Sequence, residues 1–344
     1  MTHRRIKRIA GGAVVGLGML ALLGCLKREE TIRIEPDGTA HLQMVFNGNP
    51  DDVRTGDAML EDPGPWEVKD AIETDNDGDE DLTRTATLTV PPGEEFPTHF
   101  AGDDTELADL CLAMSTSLEI EERPDGTYYH FKRVYHRRDW ARIDYFRRKF
   151  VEDSLKKLEE EDFAELNETG QWQIARDLLD LEGLKTLVLA EAAAKAVEPP
   201  LRQDDRLAIH QVIAGVFREV DTDRVVKILL LDDDQKDVEI TSAVQEVRDE
   251  LERKVNEVLF ARDPAGTLGR VFMDQFERER RRYAISEDLA DEHWAVVVEL
   301  PGRILGHNSL AGDPDDGEVR WEFDGDALYD RDEVLLATSV VERD

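Results

Sequence analysis

Thr31-Ile32-Arg33-Ile34-Glu35 alternates polar and apolar side chains, and beyond Pro36-Asp37-Gly38 the apolar positions Ala40, Leu42, Met44 and Phe46 recur at every second residue. Period-two alternation on both sides of such a turn predicts a β-hairpin with one buried face. A second hairpin is predicted from Trp66-Glu67-Val68, through the acidic turn at 75–79, to Leu82 and the run 85–90. A third joins Leu118-Glu119-Ile120 to residues 128–135 across Pro124-Asp125-Gly126-Thr127, the same tetrapeptide as at 36–39, which is read as shared turn chemistry. The apolar stretch 107–114, which contains Cys111, predicts a buried helix with the thiol as a small core group.

From about residue 138 the period changes. Trp140, Ile143, Phe146, Phe150, Leu155 and Leu158 lie near helical spacing. After a break at Asn167-Glu168-Thr169-Gly170, a second helix carries Ile174, Leu178, Leu181, Leu184, Val188 and the alanine-rich run 190–196, ending before Pro199-Pro200. Further helices are predicted over 206–220, 223–231, 238–260 and 268–283. In the third of these, Val244, Val247, Leu251, Val255 and Val258 share one side, read as core packing, with a seam for a partner helix as the alternative. Strand patterns return at 294–300, 318–323 and 334–341. The fold class predicted is α+β: an antiparallel sheet domain formed by N- and C-terminal strands, one sheet interrupted by a large helical insertion. The corresponding division is 1–24 as a leader, 25–136 as the first β part, 137–290 as the insertion, and 291–344 as the closing strands.

Composition narrows the function. The chain has 344 residues, of which 40% are hydrophobic, enough for a sizeable core. Against 43 Lys and Arg stand 78 Asp and Glu, a net charge of −35. A surface of that sign repels phosphate backbones, so nucleic acid is excluded as a main partner. The whole body is likewise expected to stand off anionic headgroups. Arg278, Arg280, Arg281 and Arg282 are read as the basic cluster of the chain, an internal counter-charge to that acidity ahead of a docking patch.

The first residues carry the strongest motif. Arg4, Arg5, Lys7 and Arg8 precede an apolar stretch of about 15 residues, shorter than the ~20 needed to span hydrocarbon. The stretch ends in Leu22-Leu23-Gly24-Cys25. This resembles a bacterial lipoprotein signal peptide, with Leu22, Leu23 and Gly24 as the lipobox. The resemblance implies cleavage after Gly24, a diacylglyceryl thioether on Cys25 and an N-acylated terminus. These covalent lipids are the only cofactor expected. Two or three acyl chains hold a protein on a bilayer where one does so only marginally. Leu26 stands where the resemblance places Asp for inner-membrane retention, which implies the outer membrane in a host with two. With Cys25 acylated, Cys111 has no disulfide partner.

A second resemblance covers about a third of the chain. The lipobox, Pro36-Asp37-Gly38, Leu300-Pro301-Gly302, Asn308 and Trp321-Glu322-Phe323 are similar to the LppM-like group of bacterial envelope lipoproteins. It implies an α+β sheet domain in the envelope that handles amphiphiles or proteins, and it carries over no catalytic residue.

Candidate chemistry elsewhere is sparse. Asp75, Asp77 and Asp79, with Asp81, alternate as calcium ligands would. However, the sixth loop position that an EF-hand gives to glycine is Glu80, so a solvated hairpin tip is favoured over a metal site. Residues 313–317 are read the same way. His130 and His136 share a parity but lie about 20 Å apart along an extended chain, and His307 is placed on a turn. No zinc, nucleophile-elbow, phosphate-loop or dinucleotide motif occurs. The expected function is therefore that of a lipid-anchored envelope protein, held facing away from the cytoplasm. It has a non-enzymatic binding or assembly role, with an envelope protein or lipid as partner. The alternatives are an amphiphile carrier and an envelope hydrolase whose carboxylates converge only in three dimensions.

Overall fold

Side chains of one parity on each strand turn inward, and these inward rows decide how the strands assemble. The computed structural model describes residues 27–48, 50, 65–74, 80–99, 112–160, 163–290, 292–311 and 317–343. Within it the chain forms a sheet unit from the stretches up to Asp139 and from Ala284 onward, and a helical unit over Trp140–Tyr283. The expected α+β architecture is observed, with strands from both ends of the chain and helices between them.

The sheet unit contains β1 (Lys27–Ile34), β2 (Ala40–Gly48), β3 (Glu67–Thr74), β4 (Glu80–Val90), β5 (Met114–Arg123), β6 (Gly126–Tyr135), β7 (His293–Glu299), β8 (Arg303–His307), β9 (Glu318–Asp324) and β10 (Glu333–Glu342). All three predicted hairpins form. The strands do not make one sheet, however. They divide into a six-stranded sheet, ordered β3-β4-β2-β1-β7-β9, and a four-stranded sheet, ordered β5-β6-β10-β8. A single sheet would leave an apolar face in water, whereas two packed sheets cover one another. The predicted helix over 107–114 also ends differently. Residues 100–111, Cys111 among them, lie outside the described residues, while Leu112 is buried but not helical and Met114 opens β5.

β1 is an interior strand, antiparallel to β2 and parallel to β7, which re-enters the sheet after the helical unit. The register aligns inward rows across β2, β1, β7 and β9. Leu42, Ile32, Val298 and Val319 form one row, and Met44, Glu30, Val296 and Trp321 the next; Phe46, Arg28, Trp294 and Phe323 form a third. Against them pack Tyr129, Phe131, Arg133 and Tyr135 of β6 with Leu335, Ala337 and Ser339 of β10. Two of the rows therefore carry charge into the core.

The repeated turn tetrapeptide does not repeat its geometry. Gly38 has φ of 90°, and the Asp37 carboxylate accepts from the Thr39 N–H at 2.9 Å. In the second turn Asp125 instead accepts from the Tyr128 hydroxyl at 2.8 Å. Gly126 is required there for close approach, because a Cβ would lie 2.5 Å from the Val341 carbonyl oxygen of β10. The late motif is likewise structural. Asn308 Oδ1 accepts from Trp321 Nε1 at 3.0 Å and from the Leu336 N–H at 2.9 Å, and its Nδ2 donates to the Val334 carbonyl at 2.6 Å. One amide thus ties β9 of the larger sheet to β10 of the smaller.

The helical unit runs α1 (Ala141–Phe146), a π turn at Arg147–Val151, α2 (Glu152–Glu160), α3 (Glu168–Ala196), α4 (Gln203–Glu219), α5 (Thr222–Leu229), α6 (Asp233–Phe260) and α7 (Thr267–Ala290), the last residues of α7 belonging to the sheet unit. The predicted break at 167–170 is the N-terminal cap of α3, where Asn167 accepts from the Gly170 N–H at 2.9 Å. Leu251 and Val255 of α6 are buried together with Leu259. Arg280 and Arg282 pair with Glu277 and Glu279 on their own helix.

Replacing Asn308 with alanine removes hydrogen bonds to both sheets at an exposed position. We expect urea denaturation to show a loss of about 0.5–1.5 kcal/mol; an unchanged midpoint would remove the inter-sheet role of this amide.

Candidate functional site

Because β1 reads Arg28-x-Glu30-x-Ile32-x-Ile34, strand parity sends a cation and a carboxylate to the same inner face as two isoleucines. Register then supplies their surroundings. Phe46 and Trp294 stand opposite Arg28 on the two neighbouring strands, and the guanidinium carbon lies 4.6 Å from one ring centroid and 4.1 Å from the other. Arg28 Nη2 reaches Glu292, immediately before β7, at 2.9 Å. Glu30 extends toward the other sheet, where Arg133 Nη2 lies at 2.6 Å and the Tyr135 hydroxyl donates to its second oxygen. Arg133 also donates to Thr116 Oγ1 at 3.2 Å, and Tyr135 meets the edge of Trp294 at 5.2 Å.

The side chains of Arg28, Glu30 and Arg133 have no exposure and that of Glu292 has 2%. Two cations and two carboxylates make the cluster neutral, which is how charges survive in a core. Burial lowers the Arg28 pKa, against the opposing pull of Glu292. Burial also raises the Tyr135 phenol well above its usual value, so it remains a hydrogen-bond donor. Sealed from solvent, these groups cannot meet a substrate. What they can do is specify pairing. A replacement by apolar groups of similar shape is often neutral for stability, whereas one unpaired buried charge is severely destabilising. A one-residue slip of β1 would turn Arg28 and Glu30 out of the core and leave Glu292 and Arg133 buried without their partners.

The residues singled out from sequence do not converge on this cluster. Cys25 and the lipobox residues Leu22, Leu23 and Gly24 lie outside the described residues, although β1 opens only two residues after Cys25. Asp75, Asp77 and Asp79 also lie outside them. Beside that turn Asp81 is exposed on β4 opposite Glu73 of β3. Among the described residues no group of three His, Cys, Asp or Glu is placed to hold a metal ion. His130 meets Thr338 at 3.3 Å and His136 meets Ser115 at 3.2 Å, so the two serve separate contacts. His307 lies in β8 opposite Ala337, not on a turn.

Among the described residues, the helical unit carries surface grooves, of which two are the best formed. One, of about 500 Å³, is lined by Ile228, Leu231 and Val238 with Arg224, Lys227 and Glu239. The other, of about 370 Å³, lies between α6 and α7 beside Phe260, Arg270 and Met273. Arg224 of the first is held by Glu246 at 2.5 and 2.8 Å.

Sequence reading passed over both Arg28 and Glu30, though their parity with Ile32 and Ile34 marks them as inward. It also passed over a second basic run, Lys132 to Lys149, with eight Lys and Arg against two Asp.

For the cluster we expect Arg133→Met alone to cost about 3–5 kcal/mol in guanidinium denaturation, with most of that recovered when Glu30→Leu is added; equal losses in the single and double variants would contradict the pairing role. The phenol gives a pH signature. The unfolded chain releases the Tyr135 proton near 10.0 while the folded chain retains it, so above that pH the unfolded state holds fewer protons and stability falls as pH rises. Tyr135→Phe should reduce that alkaline slope by up to about 1.4 kcal/mol per pH unit. Some slope should remain, because burial also raises Tyr129.

No protein-family profile, no curated protein and no solved structure matches this chain.

Proposed function

We propose that this chain is a bacterial envelope lipoprotein, held to its membrane by acyl groups on Cys25, with a binding or assembly role and no catalysis of its own. The observation that carries the reading is the junction of motif and fold. Leu22-Leu23-Gly24-Cys25 ends two residues before β1, and β1 is an interior strand paired on both edges. At about 3.5 Å per residue, no more than ~7 Å of chain would join the acylated cysteine to a strand of the core. The lipid is then fastened to the fold itself rather than to a long tether. The charge balance of −35 favours protein or lipid partners over nucleic acid. The helical unit, with these surface grooves, supplies the area on which such a partner would dock.

The test is expression in a bacterial host followed by detergent phase partitioning after a high-salt wash, with mass spectrometry of the N-terminal peptide. The expected result is a Cys25 peptide carrying diacylglyceryl and N-acyl mass, and a Cys25→Ser protein that leaves the detergent phase. A processed wild-type terminus without acyl mass, or a processed Cys25→Ser protein that stays with the detergent, would overturn the anchor. Gentle solubilisation of the wild type should retain a stoichiometric protein or lipid; recovery of neither counts against the binding role.

A further inference from the structure

The helical unit opens with a segment whose charge is opposite to that of the chain. Between Trp140 and Phe150 there are four cations, Arg142, Arg147, Arg148 and Lys149, against the single acid Asp144. Asp144 is buried and taken up by Arg147 and Arg148. Arg142 is exposed and has no carboxylate partner among the described residues. Lys149 donates to the Tyr145 hydroxyl at 2.9 Å rather than to an acid, and lies 5.3 Å from the Tyr145 ring and 5.8 Å from that of Phe150.

The spacing arranges these groups. In α1 and the following π turn, Ile143, Asp144 and Val151 point inward, whereas Arg142, Tyr145, Lys149 and Phe150 point out. Tyr145 is 59% exposed and Phe150 55%. An exposed face that mixes aromatic rings with unpaired cations has the chemistry of a membrane interface: rings enter the headgroup–acyl boundary and cations meet lipid phosphates.

Repulsion by the acidic remainder does not decide the matter, because a charge beyond about 8–10 Å is largely screened at physiological ionic strength.

We infer that Arg142, Tyr145, Arg148, Lys149 and Phe150 form a second membrane contact that lies on the anionic headgroup surface of a bilayer. The inference rests on the lipoprotein reading only for what brings the chain to a membrane.

Full-length protein would be mixed with vesicles of phosphatidylcholine alone and of phosphatidylcholine with phosphatidylglycerol, and amide hydrogen exchange followed across 141–151. Sedimentation with neutral vesicles reports the acyl anchor. Slowed exchange at 141–151 reports the second contact, so the two can fail independently. We expect slowing on the anionic vesicles alone, reversed by added salt and abolished by Arg142→Glu with Lys149→Glu. Each cation removed should weaken the contact roughly fivefold. Both residues are exposed and make no ion pair among the described residues, and unchanged thermal unfolding of the variant would verify that it is intact. Equal slowing on both vesicles, no slowing on either, or slowing that survives the double charge reversal in a folded protein would overturn the inference.

Discussion

One strand with two charges on its inner face constrains this fold more than any other element. β1 supplies Ile32 and Ile34 to a conventional apolar core, but it also buries Arg28 and Glu30, and neither can be left alone there. The partners come from distant parts of the chain. Glu292 is 264 residues from Arg28, and Tyr135 is 105 residues from Glu30. Satisfying β1 therefore requires that both ends of the sequence be assembled, in one register and with two sheets face to face.

The positions of those partners explain how a long helical stretch can sit inside a β-fold. Tyr135 is the last residue of β6, where the chain leaves the sheets, and Glu292 precedes β7, where it returns. The cluster fastens both flanks of the insertion to the same strand. Closing so long an excursion costs conformational entropy that grows only slowly with its length, and the contacts that offset it stand at the closure point. The proposed acyl anchor would join the chain just before that strand. The tether, the exit and the return are in this way linked through the side chains of β1.

Much of this could be read in the sequence, for identifiable reasons. Alternation at 31–35 and 40–46 announces a strand pair whether or not its partners are known, and the helical spacing of Ile174, Leu178 and Leu181 survives in α3 as buried positions. What local pattern lacks is information about partners across the chain. Nothing in the alternation of 118–120 or 334–341 says that these strands join a second sheet, since a strand with one apolar face is equally suited to either. The identical Pro-Asp-Gly-Thr turns show the same limit: Gly38 answers to its own backbone, Gly126 to the distant β10. Arg28 and Glu30 were available by parity, but a charged pair just after an apolar stretch looks like solvated chain until Glu292 and Arg133 are seen beside it. The basic run through Lys149 required only counting. The acidity of the whole chain obscures it.

If the ion cluster governs the fold, β1 must be among the last segments to open. Native-state hydrogen exchange resolved at the amides of 28–34 tests this most directly. The account predicts that these amides exchange only by global unfolding of the sheet unit, with an opening free energy equal to that from denaturant titration and lowered in parallel with it in Arg133→Met. Exchange of β1 through a separate, lower-energy opening, while β6 and β10 remain protected, would contradict it.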